Sequence, residues 1–363
     1  MTQSIRTAAD FARMRGRAEG GNVLSESDKH EYVIHGTDVA RPIIYLSGIQ
    51  GTPRIEKRIL EKSGCRHRCY SYAVLGDNSV FRQDGAWPVV QLASRMGVRM
   101  IIDSGAHSFH RMIHYPADQK WTRIPGFKGK SGPDAARHIA DKFLSMYMDW
   151  LARKWMSEWD WVITFDWKKD CPLIWDVTEK IREAGVPVVP VYHGDQSVDW
   201  FRRYIDAGYP IICVGYRLYG GFMQTERRRQ YLDLLFNEAV KHGVHLHALA
   251  GTGDIMLSYP WYSVDSASWL KSAAYGRIII WREYEHRIAT VHVSNRFSGC
   301  ANSKGITNVP KAAERYVAEI VRKSGFNWEQ VRDSVYARAR YNAWVYVNQI
   351  RSGSAWTAWD KLL

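Results

Sequence analysis

A parallel α/β barrel of eight strand–helix units, with a C-terminal helical extension, is the fold this sequence predicts. Three observations predict it. Short β-branched runs alternate with helical stretches through the middle of the chain. Most of these runs are too apolar to be half exposed, as expected of parallel strands covered on both faces. The 363 residues are enough for such a (β/α)8, or TIM, barrel of about 250 residues with additions.

In chain order, the candidate strands are 43–46, 100–103, 161–166, 187–192, 211–215, 245–250, 262–265 and 277–281. Stretches 135–155, 175–184, 197–207 and 225–242 read as helices between them. This gives an N-terminal extension over 1–40 and a catalytic barrel over 41–300. Residues 301–363 read as a helical segment packed on the barrel. There Pro310 suits the first position of a helix and Gly325 its end. Asn327 with Gln330 resembles a capping box opening a second helix. In that helix Trp328, Val331, Val335, Ala339, Asn342, Tyr346 and Ile350 recur on one mostly apolar face. Arg332, Arg338 and Arg340 fall largely off it, which suits either a solvated basic face or a nucleic-acid contact.

The chain carries 50 Lys and Arg against 37 Asp and Glu, a formal net charge of +13. That excess suits either solubility or, the reading favoured here, a polyanionic partner, because Lys and Arg release counterions from nucleic acid. No apolar run approaches the roughly 18 residues of a membrane span. The first forty or so residues lack the apolar core of a secretory signal. A cytoplasmic protein without membrane attachment is therefore expected. The five cysteines, Cys65, Cys69, Cys171, Cys213 and Cys300, are sparse and odd in number, as reduced thiols are. Cys65, His67 and Cys69 offer three metal-ligand types without a clear fourth. They read as free thiols and a basic turn, and neither zinc nor another cofactor is expected.

Residues 120–133 form a basic loop rich in Gly and Pro. Its Gly129-Lys130-Ser131 brushes against a phosphate-binding loop. Ile124 stands where that motif needs glycine, and no strand precedes it, so nucleotide triphosphate binding is rejected. The loop follows the second predicted strand, so it is a lid or a phosphate-backbone clamp at the active face, or an inert surface loop; as a clamp, Lys120, Arg123, Lys128 and Lys130 are its candidate contacts. Arg277, Arg338 and Arg340 join them.

The strand ends carry the chemistry, because the C-terminal ends of barrel strands build the active site. They read Asp103-Ser104-Gly105, Phe165-Asp166, Tyr192-His193-Gly194-Asp195 and Val214-Gly215-Tyr216. Then follow Ala248-Leu249-Ala250-Gly251-Thr252-Gly253 and Asp265-Ser266. A single strand-end aspartate often only caps the next helix. Two in one pocket can cleave a glycosidic bond, one as nucleophile and the other as general acid/base. The glycines let a flat ligand approach the backbone.

This order resembles the tRNA-guanine transglycosylase family. Those enzymes carry, in sequence, Asp-Ser-Gly-Gly, Phe-Asp, Gln-Gly-Gly, Gly-Gly, Leu-Met-Gly-Val-Gly and Phe-Asp. The matching segments are Asp103-Ser104-Gly105-Ala106, Phe165-Asp166, His193-Gly194-Asp195, Gly215-Tyr216, Leu249-Ala250-Gly251-Thr252-Gly253 and Val264-Asp265, with Gly276-Arg277 matching a later Gly-Arg. The resemblance implies that Asp265 is the nucleophile that attacks C1′ of a guanine nucleotide. It implies that Asp103 is the general acid/base. Asp166 would accept from the N1–H and 2-amino edge of the purine, which suits an acceptor-only carboxylate. His107 takes the place of a base-stacking aromatic, and Gly215 would offer its backbone to the base. Ser104, His193, Tyr216, Leu249 and Gly251 complete the implied base pocket. His193 stands where the family has glutamine, and Tyr216 where it has glycine.

The family's Cys-x-Cys-x-x-Cys zinc subdomain is absent, and only Cys300 lies downstream of Asp265. A short, basic relative without zinc is more similar to the DNA-guanine transglycosylases of bacteriophages. Those replace guanine in DNA by a 7-deazaguanine such as 7-cyano-7-deazaguanine. The implied partners are DNA and the free 7-deazaguanine base, with tRNA as the alternative polymer. On duplex DNA the target base would have to leave the stack. Two other classes compete. A metal-dependent amidohydrolase rests on His245-x-His247 alone, on the sixth predicted strand rather than the first. A non-catalytic nucleic-acid-binding protein explains the charge but not the strand-end carboxylates.

Overall fold

The computed structural model describes residues 42–48, 52–76, 86–106, 132–154, 156–166, 170–194, 196–215, 225–285, 287–294 and 311–350. Its main sheet is made of β1 (Ile43–Ser47), β2 (His67–Ser71), β3 (Arg99–Asp103), β4 (Trp159–Ile163), β5 (Val188–Val189), β6 (Val191–His193), β7 (Ile211–Gly215), β8 (His245–Ala248) and β9 (Ser263–Ser266). The strand order is β5-β4-β3-β2-β1-β9-β8-β7-β6. The pairings β1–β9, β3–β4, β4–β5 and β6–β7 are parallel. The two end strands, β5 and β6, are neighbours in the chain, separated by Pro190 alone. Proline has no N–H to donate, so it interrupts a ladder. Val188 and Val189 pair with β4, and Val191 to His193 pair with β7. The two short strands therefore share one stave. Eight staves result, and the fold class is the α/β barrel the sequence predicts.

Two stretches differ from expectation. The second stave is His67–Ser71, which the sequence presents as a basic turn. Its polar start hides it, because Arg68 is fully buried by pairing with Glu56 rather than by being apolar. The stretch 277–281 is not the eighth stave. As β10 (Arg277–Arg282) it pairs antiparallel with β11 (Arg287–His292) in a separate two-stranded sheet. Its apolar centre, Ile278 to Ile280, is buried nonetheless, so apolarity alone could not distinguish it from a barrel strand. Asp103 thus ends the third stave and Asp265 lies on the eighth.

The helices are α1 (Pro53–Ser63), α2 (Tyr72–Leu75), α3 (Ala86–Arg95), α4 (Gly132–Lys154), α5 (Cys171–Glu183), α6 (Val198–Asp206), α7 (Thr225–Lys241), α8 (Asp254–Ser258), α9 (Ser268–Ala274), α10 (Lys311–Lys323), α11 (Trp328–Asp333) and α12 (Val335–Trp344). Among the described residues, no helix is long and apolar enough to cross a membrane. No group of three or more His, Cys, Asp and Glu among them is placed to hold a metal ion.

The contacts divide the chain into two compact units. One is built on Cys69–Trp87 and Arg99–His247, the other on Thr37–Arg68, Pro88–Val98 and Ala248–Leu363. The first has an aromatic core. Trp150 stacks on Trp159 at 5.3 Å, and Tyr72 meets both Tyr147 and Trp150. Thr178 on α5 joins Thr164, just past β4, through their hydroxyls at 2.8 Å, which fixes the approach to Asp166.

In the second unit, α12 packs on α1, α9 and β10. Asn342 ties α12 to α9 and β10: its Oδ1 accepts from Ile279 N–H, and its amide donates to the carbonyls of Trp269 and Arg277. The helix expected to open at Asn327 does so, with Asn327 Oδ1 accepting Gln330 N–H at 2.8 Å. It breaks at Ser334, whose hydroxyl caps α12 by accepting from Ala337 N–H. The expected apolar face is buried at Trp328, Val331, Ala339, Asn342, Tyr346 and Ile350. Val335, at the break, is exposed.

Candidate active site

The predicted site residues of the first unit lie at the ends of four strands. Asp103 is the last residue of β3 and is partly exposed. Beside it lies the Tyr147 phenol, pushed up first by its burial and then by the Asp103 charge. Ser104 is fully buried, and its hydroxyl accepts from Ala106 N–H at 3.4 Å, so it shapes the turn after Asp103. Gly105 sits at φ +80°, and a Cβ there would come within 2.4 Å of the Ala73 Cβ. No other residue fits this close approach of β3's end to α2.

Asp166 follows β4, and His193 ends β6. His193 Nε2 lies 2.6 Å from Asp166 Oδ1. Since an ionised carboxylate only accepts, Nε2 carries the proton in this pair. The backbone that carries the ring is fixed as well. His193 N–H donates to Gln196 Oε1, and Gln196 N–H donates to the His193 carbonyl. The ring lies flat enough on β7 that a Cβ on Gly215 would be 2.3 Å from His193 Nδ1. Gly215 is therefore the place where the imidazole crosses the neighbouring strand. His193 and Asp166 form one fixed dyad, with side chains 9% and 18% exposed. The charge of Asp166 also reaches Tyr204, whose phenol is raised chiefly by burial, then by Cys171 and Asp166.

In the second unit, Asp265 on β9 faces Tyr45 across the β1 register. Its Oδ2 accepts from Ser47 Oγ at 2.6 Å, and its Oδ1 accepts from Ala250 N–H at 2.9 Å. Its carbonyl accepts from Gly251 N–H at 3.0 Å. The strand-end run Leu249-Ala250-Gly251 is thus folded back onto Asp265. Ala250 has φ +54°, the left-handed region, and is the one non-glycine there among the described residues. That conformation costs about 1–2 kcal/mol, and it aims the Ala250 N–H at the carboxylate. Gly251 is needed for closeness, because a Cβ would lie 2.4 Å from the Ala248 Cβ. Leu249 is half-buried beside them.

Four residues at this site escaped the sequence reading: Ser47, Arg68, Glu56 and Trp269. Arg68 donates to the carbonyls of Leu46 and Gly48, and pairs with Glu56 at 2.8 Å. Trp269 Nε1 donates to the Ser47 carbonyl at 2.9 Å, with the Arg68 guanidinium over its ring. Ser47-Gly48 repeats the small-residue strand end seen at Ser104-Gly105, so a signal for it existed. A buried Arg–Glu pair leaves no such trace in sequence.

Among the candidate nucleic-acid contacts, Arg277 is exposed and Arg340 half-buried. Arg338, by contrast, is buried. It is 3% exposed, and its guanidinium donates to the carbonyls of Ala273, Val331 and Arg332. It ties the end of α9 to α11 and cannot reach a phosphate. His107, Lys120, Arg123, Lys128, Lys130 and Tyr216 lie outside the described residues. His245 and His247 sit on β8; His247 is buried edge-on to Trp161 at 5.1 Å.

No family model matches the chain, and no curated protein matches it. Among solved structures, a Pseudovibrio sp. protein named for the mandelate racemase/muconate lactonizing enzymes aligns with a TM-score of 0.31 and 11% identity. The alignment covers 69% of this chain and 54% of the other, so the chain spans about half of that neighbour's length.

Proposed function

We propose that this protein is a guanine transglycosylase that exchanges guanine in DNA for a 7-deazaguanine base. One observation carries the reading. Asp265 is a carboxylate near the end of a parallel strand, with a donor on each oxygen and a strained loop folded to supply one of them. Such a group is oriented and suited to the ionised form, as a nucleophile must be.

In the reading, an Asp265 oxygen bonds to C1′ of a guanine nucleotide as the C1′–N9 bond breaks. The bond's electron pair leaves on the base, and Asp103 gives the departing base a proton. The incoming base then yields its N9 proton to the Asp103 carboxylate. Its N9 bonds to C1′, and Asp265 leaves as a carboxylate. Asp166, fixed by His193, accepts hydrogen bonds from the N1–H and 2-amino groups of either base. The net charge of +13 supports a polyanionic substrate.

The test is incorporation of labelled guanine into DNA and, in parallel, into tRNA, with Asp265→Ala as control. Label entering DNA with the native protein and not with the variant is the expected result. Label entering tRNA alone would keep the mechanism and replace the polymer. Exchange by the alanine variant would overturn the assignment of the nucleophile.

A further inference from the structure

The end of β1 is held more tightly than a strand end requires. Three successive carbonyls there, those of Leu46, Ser47 and Gly48, are bound by the buried side chains of Arg68 and Trp269. Arg68 is itself fixed by Glu56, and both side chains are wholly buried. Burying an ion pair costs several kcal/mol of desolvation per ion, which the pairing and hydrogen bonds must offset. Ordinary strand ends are satisfied by loop backbone or water. What this clamp fixes is the residue between its jaws, and the Ser47 hydroxyl donates to Asp265 Oδ2 at 2.6 Å.

We propose that Ser47 is a catalytic residue, the hydroxyl that stabilises Asp265 as the leaving carboxylate in the second half of the exchange. Arg68 and Trp269 are its positioning residues. The proposal rests on the transglycosylase reading for its chemistry, but the Ser47–Asp265 coupling stands apart from it. In the first half, Asp265 loses its charge as the ester to C1′ forms, so a donor on the carboxylate gives no help. In the second half, the ester C–O bond breaks and its electron pair returns to Asp265. The charge develops where the Ser47 O–H already points. Donors of this kind are most effective when preorganised at developing charge.

The experiment compares the wild type with Ser47→Ala and Ser47→Thr in the full chain. Three quantities are read: turnover of guanine exchange into DNA, the fraction of enzyme trapped covalently on DNA by denaturation, and the carboxyl titration of Asp265 by carbon-13 NMR. Removing the hydroxyl is expected to lower turnover on the order of 10- to 100-fold, the effect of one hydrogen bond to a charged group. The trapped covalent fraction should rise while turnover falls, which a merely structural role would not produce. The Asp265 titration should move to higher pH, and Ser47→Thr should restore much of each quantity. Trp269→Phe removes the indole N–H alone; it should shift the same quantities in the same direction by less. Unchanged turnover, trapping and titration in Ser47→Ala would overturn the proposal. An upward titration shift with no covalent complex from any form would retain the coupling and reject the transglycosylase chemistry.

Discussion

Asp265 and Asp166 are both carboxylates at strand ends, yet different chemistry holds them. Asp265 is held by a hydroxyl and a backbone N–H, neither of which changes protonation near neutral pH. Asp166 is held by an imidazole, the side chain that does titrate there. The first arrangement suits a group that must be charged and oriented before it attacks and must regain its charge as it leaves. The second fits the ligand-edge role proposed for Asp166, because His193 anchors its Oδ1. The loops differ in the same sense. Asp265 is reached by a strained alanine at φ +54°, whereas His193 is seated by the absence of a side chain at Gly215.

The sharpest way to break this comparison is to make the same substitution at both sites. If Asp265 is the proposed nucleophile, Asp265→Asn should lower exchange by at least about 10⁴-fold, with KM little changed. If Asp166 reads the base edge as proposed, Asp166→Asn should raise KM on the order of 100-fold, from one or two lost charge-assisted hydrogen bonds. Steady-state kinetics with purified variants checks both. If Asp166→Asn instead lost turnover at unchanged KM, the two roles would have to be exchanged.

The next largest effect concerns what supports each site. Arg68→Met leaves Glu56 buried without its ion-pair partner, and should destabilise the protein by about 3–5 kcal/mol in urea unfolding. The double variant Arg68→Met with Glu56→Leu should recover most of that loss, since an apolar pair of similar volume replaces the ions. It should not recover turnover, because Leu46 and Gly48 then lose the donor that clamps β1. Recovery of both would reduce the buried pair to packing alone.

The strand ends were legible in the sequence and their supports were not, for a physical reason. Asp103, Asp166, His193, Gly215 and Asp265 follow β-branched runs, and burial on both faces makes such runs visible as apolarity. The His67–Ser71 stave was missed because its burial is achieved by ion pairing, which a hydropathy pattern cannot register. The 277–281 run was misplaced for the converse reason: it is as apolar as a stave but buried against α9 and α12. Arg338 looked like a surface cation because it falls off the apolar face of its helix. Helix-end carbonyls bury it instead. The partners of Asp265 lie 218 and 15 residues away along the chain, so no local pattern could join them.

The smallest effect separates the clamp's surroundings from its chemistry. Cys65 lies at the foot of the same network, with its thiol donating to the His67 carbonyl. Burial, opposed by the Arg68 charge, pushes the thiol up from 9.0 to about 11. The unfolded chain gives up this proton near pH 9 and the folded chain near pH 11, so the folded state binds more protons between them. Stability is fully present below pH 9 and falls as pH rises through this window, by at most roughly 1.4 kcal/mol per pH unit. In Cys65→Ala that contribution vanishes, so urea midpoints measured from pH 8.5 to 10.5 should decline less steeply than in the wild type. An equal decline in both would mean that the thiol is not held protonated. The buried network would then be open enough to water to weaken the case for a rigid β1 end.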